Sequence, residues 1–239
     1  MKKLAIVTGA SSGIGAAAAR ALSKAGHPLL LTARRLEKLE ALGLPNAMYR
    51  AVDVRDTPAM DVAIKEAEAE YGPVDLLVNN AGLMQLGDIA QQDPTEWKDM
   101  FDINVTALLE VTRLVLPGMQ ERKCGTITNI SSIAGRNVYG DHTAYCGTKF
   151  AVHAISESLR REVAKFGVRV IIIGPGMIET ELLDHTNSDS IMDGYLDYKQ
   201  SIGGGIPSED VADTILWSYQ MPQRACLREI LIAPTSHDC

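Results

Sequence analysis

The 239-residue chain has few cysteines, few large aromatic side chains and no long apolar run. Its cysteines form no Cys-x-x-Cys pair and have no histidines at ligand spacing, so we expect reduced thiols and no metal site. No apolar stretch approaches the roughly 18 residues of a membrane span, and the one near the N-terminus stops too early for a signal peptide. A cytoplasmic protein is therefore expected. The four cysteines are Cys124, Cys146, Cys226 and Cys239.

An excess of positive charge is also missing. Acidic side chains outnumber basic ones and leave a formal net charge of −7. This balance gives no broad basic surface, which argues against a nucleic-acid partner or an anionic membrane surface. A small molecule is the expected partner.

Short β-branched or Leu-rich runs alternate along the chain with longer segments of helical periodicity. Strand and helix repeated in this way predict a parallel sheet covered on both faces, and right-handed crossovers make it doubly wound. We therefore predict an α/β fold, with residues 1–239 as a single Rossmann-like domain built on about seven strands. The predicted strands are Leu4–Thr8, Leu29–Thr32, Ala47–Val52, Leu76–Asn79, Thr126–Ile130, Val168–Ile173 and Ile230–Ile232.

One segment interrupts this rhythm. Residues 181–205 are rich in Asp and Ser and end in Gly203-Gly204-Gly205. A long insertion in a compact domain is usually functional or mobile, so we interpret it as a lid over the substrate. An ordered surface loop or a subunit contact is the alternative.

A glycine-rich turn follows the first predicted strand, with Gly9, Gly13 and Gly15 before and within the first helix. Glycine lets backbone N–H groups and the helix N-terminus approach a pyrophosphate. Methyltransferases and purely structural βα units use similar turns, and the spacing differs from the shorter dinucleotide pattern. Taken alone, the turn leaves these alternatives open.

The end of the second predicted strand favours one coenzyme. An NAD enzyme would place a carboxylate here, but the sequence has Arg34 and Arg35, and no carboxylate before Glu37. Guanidinium groups match a phosphate bidentately, so this pair predicts NADP(H), with Arg34 the better candidate. Ser12 does not add a basic residue in the glycine turn, and a solvated arginine pair opening a helix is the alternative.

Tyr145 and Lys149 are four residues apart in a segment of helical spacing, thirteen residues after Ser132. Four helical residues bring phenol and ammonium to one face. A free tyrosine has a pKa of about 10, and a unit charge roughly 5 Å away would lower it by roughly two units. The pattern predicts a tyrosine that exchanges protons with an alcohol or carbonyl between about pH 7 and 8. Either residue alone is more typical of a half-buried tyrosine or a solvated lysine.

Several motifs together resemble the short-chain dehydrogenase/reductase family. The likeness spans about residues 1 to 180 and continues more loosely to the C-terminus. It implies an NADP(H)-dependent oxidoreductase that interconverts a secondary alcohol or hydroxy acid and a carbonyl. Gly174 departs from the pattern, since the family often has Asn there. The motifs are Thr8-Gly9-x-x-x-Gly13-x-Gly15, Asn79-Asn80-Ala81-Gly82, Asn104, Ser132, Tyr145-x-x-x-Lys149 and Pro175-Gly176.

The resemblance also implies a role for each matching residue. Ser132 would bind the substrate oxygen, and Tyr145 would act as general acid in reduction and general base in oxidation. Lys149 would hold the nicotinamide ribose, and Asn104 would anchor a water that relays protons to Lys149. Asp53 would contact the adenine. The implied coenzyme residues are Gly9, Ser11, Gly13, Ile14, Gly15, Arg34, Arg35, Asp53, Val54, Asn80, Ala81, Gly82, Tyr145, Lys149, Pro175, Gly176, Ile178 and Thr180.

Within the family, the Ala33-Arg34-Arg35 turn and the C-terminal strand look like the branch of 3-hydroxy acid dehydrogenases and broad carbonyl reductases. Arg136, His142 and Lys199 are then the nearest candidates to meet a substrate carboxylate. The family further implies a homodimer or homotetramer packed through helices at about 95–120 and 143–165. Two other functions stay open: a redox sensor that binds NADP without turnover, and a nucleotide-sugar or methyl-transfer enzyme.

Overall fold

The computed structural model describes residues 3–237. The strands of this part of the chain are β1 (Leu4–Thr8), β2 (Leu29–Ala33), β3 (Ala47–Ala51), β4 (Val74–Asn79), β5 (Gly125–Ile130), β6 (Val168–Pro175) and β7 (Glu229–Ile232). They form one parallel sheet in the order β3-β2-β1-β4-β5-β6-β7. Helices cover both faces, so the predicted fold class is confirmed.

The burial of the strands explains their sequence pattern. Every residue of β1, β2, β4, β5 and β6 is buried, because helices pack against both of their faces. Such strands read as continuous apolar runs. The edge strands β3 and β7 are only half-buried.

The helices vary widely in length. Two of them begin at a cap that the sequence supplies: Asp56 accepts a hydrogen bond from Ala59 N, and Asp93 accepts one from Thr95 N, each with proline in the first turn. The helices are α1 (Gly13–Lys24), α2 (Leu36–Glu40), α3 (Thr57–Tyr71), α4 (Pro94–Phe101), α5 (Ala107–Arg122), α6 (Thr143–Val163), α7 (Asp189–Ser201) and α8 (Ser208–Gln220).

Two apolar layers hold the helices to the sheet. On one face, Leu22 of α1 and Ile215 of α8 pack against the strands. On the other face, Met60 of α3, Val111 of α5 and Val163 of α6 do the same. Burial on both sides fixes the strand ends, from which the loops of the site extend.

The segment predicted as a lid is helical. It forms a 3₁₀ turn, Glu181–His185, followed by α7. None of the residues of α7 is fully buried, so this helix lies on the surface of the domain.

Cys124, Cys146 and Cys226 are free thiols, and Cys239 lies outside the described residues. Between residues 3 and 237, none of the helices has the length and apolar character to span a membrane. The same part of the chain contains no cluster of three side chains suited to a metal ion.

Candidate active site

The carboxyl ends of the parallel strands open onto a cavity of about 650 Å³. Most of the residues implied by the motifs line it, because the loops after the strands all leave the sheet at the same edge. Gly15 and Asn104 do not line the cavity and lie behind its wall. The predicted residues that line it are Gly9, Ser11, Gly13, Ile14, Arg34, Arg35, Asp53, Val54, Asn80, Ala81, Gly82, Ser132, Tyr145, Lys149, Pro175, Gly176, Ile178 and Thr180.

The glycine turn depends on missing side chains. Gly9 and Gly13 have φ angles of +65° and +51°, in the left-handed region that favours glycine. A Cβ on Gly9 would lie 2.8 Å from Cα of Ala81, and one on Gly15 would overlap the carbonyl oxygen of Gly9. Gly15 therefore permits close packing of α1, while Gly9 and Gly13 leave the helix N-terminus open to an anion such as a pyrophosphate.

Asn80, directly after the neighbouring strand β4, supports this turn. Its Nδ2 donates to the carbonyl oxygens of Thr8 at 2.9 Å and Gly9 at 3.1 Å. The Thr8 hydroxyl in turn accepts from the backbone N–H groups of Asn80 and Ala81. The predicted coenzyme residue Asn80 thus also fixes the shape of the turn.

The arginine pair lies at one end of the cavity. Arg35 donates to the hydroxyls of Ser11 at 3.3 Å and Ser12 at 3.2 Å, and forms an ion pair with Glu181 at 3.2 Å. Arg34 is exposed on the same wall. A phosphate here would meet two guanidinium groups and two hydroxyls, so the residues fit the predicted 2′-phosphate.

Asp53 stands beside these arginines. Hydrogen bonds from Arg55 hold the pKa of the Asp53 carboxyl below its usual range. The carboxylate is ionised at neutral pH and lines the cavity with Val54. The predicted contact of Asp53 with an adenine stays a prediction.

Ser132, Tyr145 and Lys149 meet at the other end of the cavity. The ammonium nitrogen of Lys149 lies 5.6 Å from the centroid of the Tyr145 ring and donates to the carbonyl oxygen of Ile130 at 3.2 Å. Ser132 lies close enough to the Tyr145 phenol to favour its ionised form. These side chains come from the end of β5 and one face of α6, as their spacing predicts.

The pKa values differ from the sequence-based expectation. Burial raises the pKa of Tyr145 above its ordinary value, and Ser132 only partly opposes the rise. Burial also lowers the pKa of Lys149 to about 8. The expected lowering of the Tyr145 pKa is thus wrong for these side chains by themselves, because loss of solvation has the largest effect on the phenol. Tyr145 is a protonated phenol at neutral pH.

Asn104 lies in a π-helical turn, Asp102–Thr106, between α4 and α5. Its Nδ2 donates to Leu83 O at 2.8 Å and to Thr148 Oγ1 at 3.1 Å, and its Oδ1 accepts from Leu83 N at 2.7 Å. Such turns often occur at functional sites. The side chain joins the loop after β4 to α6, and the predicted water relay stays a prediction.

The residues proposed for a substrate carboxylate have other partners. Arg136 does not line the cavity and forms a two-point ion pair with Glu229. Lys199 lines the cavity but is paired with Glu179 at 2.5 Å. His142 also lines it, and burial lowers its pKa.

The sequence did not predict two features near Tyr145 and Lys149. Tyr139 and Tyr195 line the cavity near Tyr145; the aromatic residues of segment 181–205 were a signal for one of them. Ser131 contacts Nδ1 of His153 at 2.9 Å, and Nε2 of that histidine lies 3.2 Å from Glu229. Nothing in the spacing of these last three residues along the chain could have predicted their contact.

The comparison with known proteins identifies the family. The family model described as short chain dehydrogenase matches residues 3–191. The chain belongs to the short-chain dehydrogenase family. As a member of this family it is an oxidoreductase, which agrees with the resemblance drawn from the motifs.

Similar proteins support this membership over the full chain. An uncharacterized oxidoreductase of Staphylococcus saprophyticus is 37% identical, covering 98% of this chain and 96% of that protein. A glycine betaine reductase of Emericella nidulans is 39% identical over 97% of this chain, which matches only 19% of that larger protein. A solved structure of the closed form of serine dehydrogenase with NADP⁺ is 31% identical, covers 99% of this chain and 96% of that one, and has a TM-score of 0.92.

Proposed function

We propose that the protein is an NADP(H)-dependent oxidoreductase that interconverts a secondary alcohol and a carbonyl, with Tyr145 as general acid and base. The observation that carries this proposal is one cavity that holds both the glycine turn and the Ser132–Tyr145–Lys149 cluster. The structural relative that was solved with NADP⁺ supports the coenzyme, as do Arg34 and Arg35. The bound coenzyme would supply or accept a hydride, that is, two electrons and one proton.

The proton transfer is assigned to the side chains of the chain itself. Ser132 and Tyr145 hydrogen-bond the carbonyl oxygen of the substrate. While the carbonyl carbon receives the hydride, the oxygen takes the proton of the Tyr145 phenol and becomes the alcohol hydroxyl. Tyr145 then regains a proton from solvent by way of Lys149. Because burial raises the pKa of Tyr145, the phenol holds a proton at neutral pH that it can donate to the carbonyl oxygen. Its action as a base on an alcohol requires a lower pKa, which the positive charges of Lys149 and of the bound oxidised coenzyme would favour.

Lys149 is assigned two tasks. Its ammonium group, 5.6 Å from the Tyr145 ring, stabilises the phenolate left after proton transfer. The same group would hold the nicotinamide ribose. Asn104 is assigned to position the loop around Gly82, since a Cβ on that glycine would lie 3.4 Å from its Oδ1 and 3.9 Å from Nζ of Lys149.

The test is a panel of ketones and aldehydes with NADPH and NADH in parallel. Tyr145→Phe should lower kcat by about 10²–10⁴-fold while leaving coenzyme affinity, measured by fluorescence quenching, nearly intact. Tyr71→Phe, on a half-buried tyrosine of α3 outside the cavity, is the matched control. Retained turnover in Tyr145→Phe would refute the acid/base role. Coenzyme binding without turnover of any substrate would favour the redox sensor, and no binding would favour the transfer enzymes.

The oligomeric state is part of the same proposal. Phe101, Leu109 and Phe150, on the two long helical segments, are 42–44% exposed in the single chain. Burial of such side chains would stabilise a dimer or tetramer. Light scattering after size exclusion should give two or four chains per particle, and a monomer would contradict this part of the proposal.

A further inference from the structure

The walls of the cavity beyond Tyr145 are aromatic. The ring of His142 lies 5.6 Å from that of Tyr139, 6.3 Å from that of Tyr145 and 6.4 Å from that of Tyr195, measured between centroids. The planes of His142 and Tyr195 differ by only 26°. We call Tyr139, His142 and Tyr195 the aromatic wall. Flat apolar groups of a substrate would pack well against such rings.

A contact with the backbone of Gly140 determines which ring nitrogen of His142 carries the proton. Its Nδ1 lies 2.6 Å from the carbonyl oxygen of Gly140, which can only accept a hydrogen bond. Nδ1 therefore carries the proton, and burial lowers the pKa of the ring. The remaining nitrogen, Nε2, is an acceptor. It would repel a carboxylate oxygen and could accept a hydrogen bond from a neutral donor.

The lysine side chains near the aromatic wall have other roles and are not free to bind a substrate carboxylate. Among the described residues, Lys149 and Lys199 are the Lys or Arg side chains that line the substrate end of the cavity. Lys149 is assigned to the chemistry. Lys199 is bound to Glu179, whose second oxygen accepts from Gly205 N at 2.8 Å.

An acidic side chain that lines the same cavity has the wrong sign for an anionic substrate. Asp184, on the turn before α7, is exposed and lines the same cavity. A carboxylate bound there would meet like charge, and recruiting Lys199 would break its ion pair with Glu179. Leu182 and Leu183, which also line the cavity, would add only apolar contact.

We propose that the physiological substrate class is an uncharged ketone or aldehyde with an aromatic or apolar arm that packs against the aromatic wall, and not a keto or hydroxy acid. This inference rests on the proposed function of the same site. It departs from the 3-hydroxy acid expectation drawn from the sequence. Tyr195 and His142 are then specificity-determining residues, because they contact the arm and not the reacting oxygen.

The first experiment uses pairs of an ester and its parent acid, which differ in the negative charge and in one small alkyl group: ethyl acetoacetate against acetoacetate, and methyl benzoylformate against benzoylformate. With the full-length protein and NADPH, each ester should have a kcat/KM at least about tenfold above that of its acid, since an unpaired carboxylate is costly to desolvate. Equal or better use of either acid would overturn the inference while leaving the proposed function intact. Failure of NADPH oxidation with every compound would instead refute the proposed function.

The second experiment locates the determinant. Tyr195→Ala should raise KM for methyl benzoylformate about tenfold through loss of ring packing, with little change in kcat, whereas Tyr195→Phe should keep the wild-type KM. Gln200→Ala, on the exposed side of the same helix and outside the cavity, is the control. An unchanged KM in Tyr195→Ala would contradict the role of the aromatic wall.

The third experiment removes the ion-pair partner of Lys199. Glu179→Gln removes the negative charge that holds Lys199 but keeps an oxygen for Gly205 N. The ester-to-acid ratio of kcat/KM should then fall about tenfold, because Lys199 becomes free to pair with the carboxylate. Thermal unfolding checks that the variant is folded. A folded variant with the wild-type ratio would contradict the role given to the Lys199–Glu179 pair.

Discussion

His153 fills the space beside Gly135, so that a Cβ on Gly135 would overlap its imidazole ring. The same Cβ would lie 2.8 Å from the carbonyl oxygen of Lys149. Gly135 ends the short 3₁₀ turn that follows Ser132. The position of Ser132 therefore depends on a contact between this turn and the buried side of α6.

Gly135→Ala should consequently destabilise the protein and lower kcat. Overpacking of this kind costs about 1–3 kcal/mol in free energy of unfolding, and relief by movement of the turn would displace the Ser132 hydroxyl. Urea unfolding and steady-state kinetics measure the two effects.

Gly140→Ala is the matched control, because nothing lies within 4 Å of a Cβ at that position. It should leave both quantities close to wild type. A Gly135→Ala protein that is as stable and as active as the control would show that the turn has room, contrary to the packing described above.

Lys149 gives a prediction for the dependence of stability on pH. Burial lowers its pKa from the ordinary 10.5 to about 8. Between these values the unfolded chain holds the proton more tightly than the folded one, so stability should rise with pH in this window. Below this pH window, Lys149 is charged in both the folded and the unfolded chain, and the full cost of burying the ammonium group is present.

The comparison to make is between the wild type and Lys149→Met, which keeps the apolar stem. From about pH 8 to about pH 10.5 the wild type should gain about 3 kcal/mol in free energy of unfolding relative to the variant. Denaturant unfolding at several pH values measures the difference. A difference that stays flat or falls over this window would mean that Lys149 keeps an ordinary pKa in the folded protein.

Much of the architecture could be predicted from the sequence, because buried parallel strands leave continuous apolar runs. The first strand, Leu4–Thr8, begins and ends as predicted. Other strands differ by one or two residues at an end, as in Val168–Pro175, where Gly174 and Pro175 suggest an end but are still paired with β7. The helix α7 was missed because its Asp- and Ser-rich sequence is typical of a loop, and none of its residues is buried.

The site could be predicted only where its residues form a local pattern. Tyr145 and Lys149 are one helical turn apart, so their contact follows from the sequence. The pairing of His153 with Glu229 joins residues far apart in the chain, and the π-helical turn at Asn104 depends on tertiary contacts with Leu83. The sign of the Tyr145 pKa shift depends on burial, which spacing alone does not give.

Arg34 and Arg35 differ in their ion-pair partners, and this difference allows a test of which arginine selects the coenzyme. Arg35 shares its guanidinium group with Glu181, whereas no carboxylate between residues 3 and 237 lies within ion-pair distance of Arg34. A 2′-phosphate would therefore compete with Glu181 for Arg35 but not for Arg34. The sequence-based preference for Arg34 as the main determinant stays a prediction, and this difference supports it.

Arg34→Ser should raise KM for NADPH about tenfold or more, the value of one lost charge-assisted hydrogen bond, and leave KM for NADH almost unchanged. Arg35→Ser should have the smaller effect, because Glu181 already offsets part of its charge. Arg34→Asp should go further and turn the preference toward NADH.

Arg113→Ser, on α5 and outside the cavity, controls for the loss of a surface arginine. If Arg34→Asp keeps the wild-type ratio of NADPH to NADH activity, the 2′-phosphate is not bound by Arg34, and a larger effect of Arg35→Ser would assign it to Arg35.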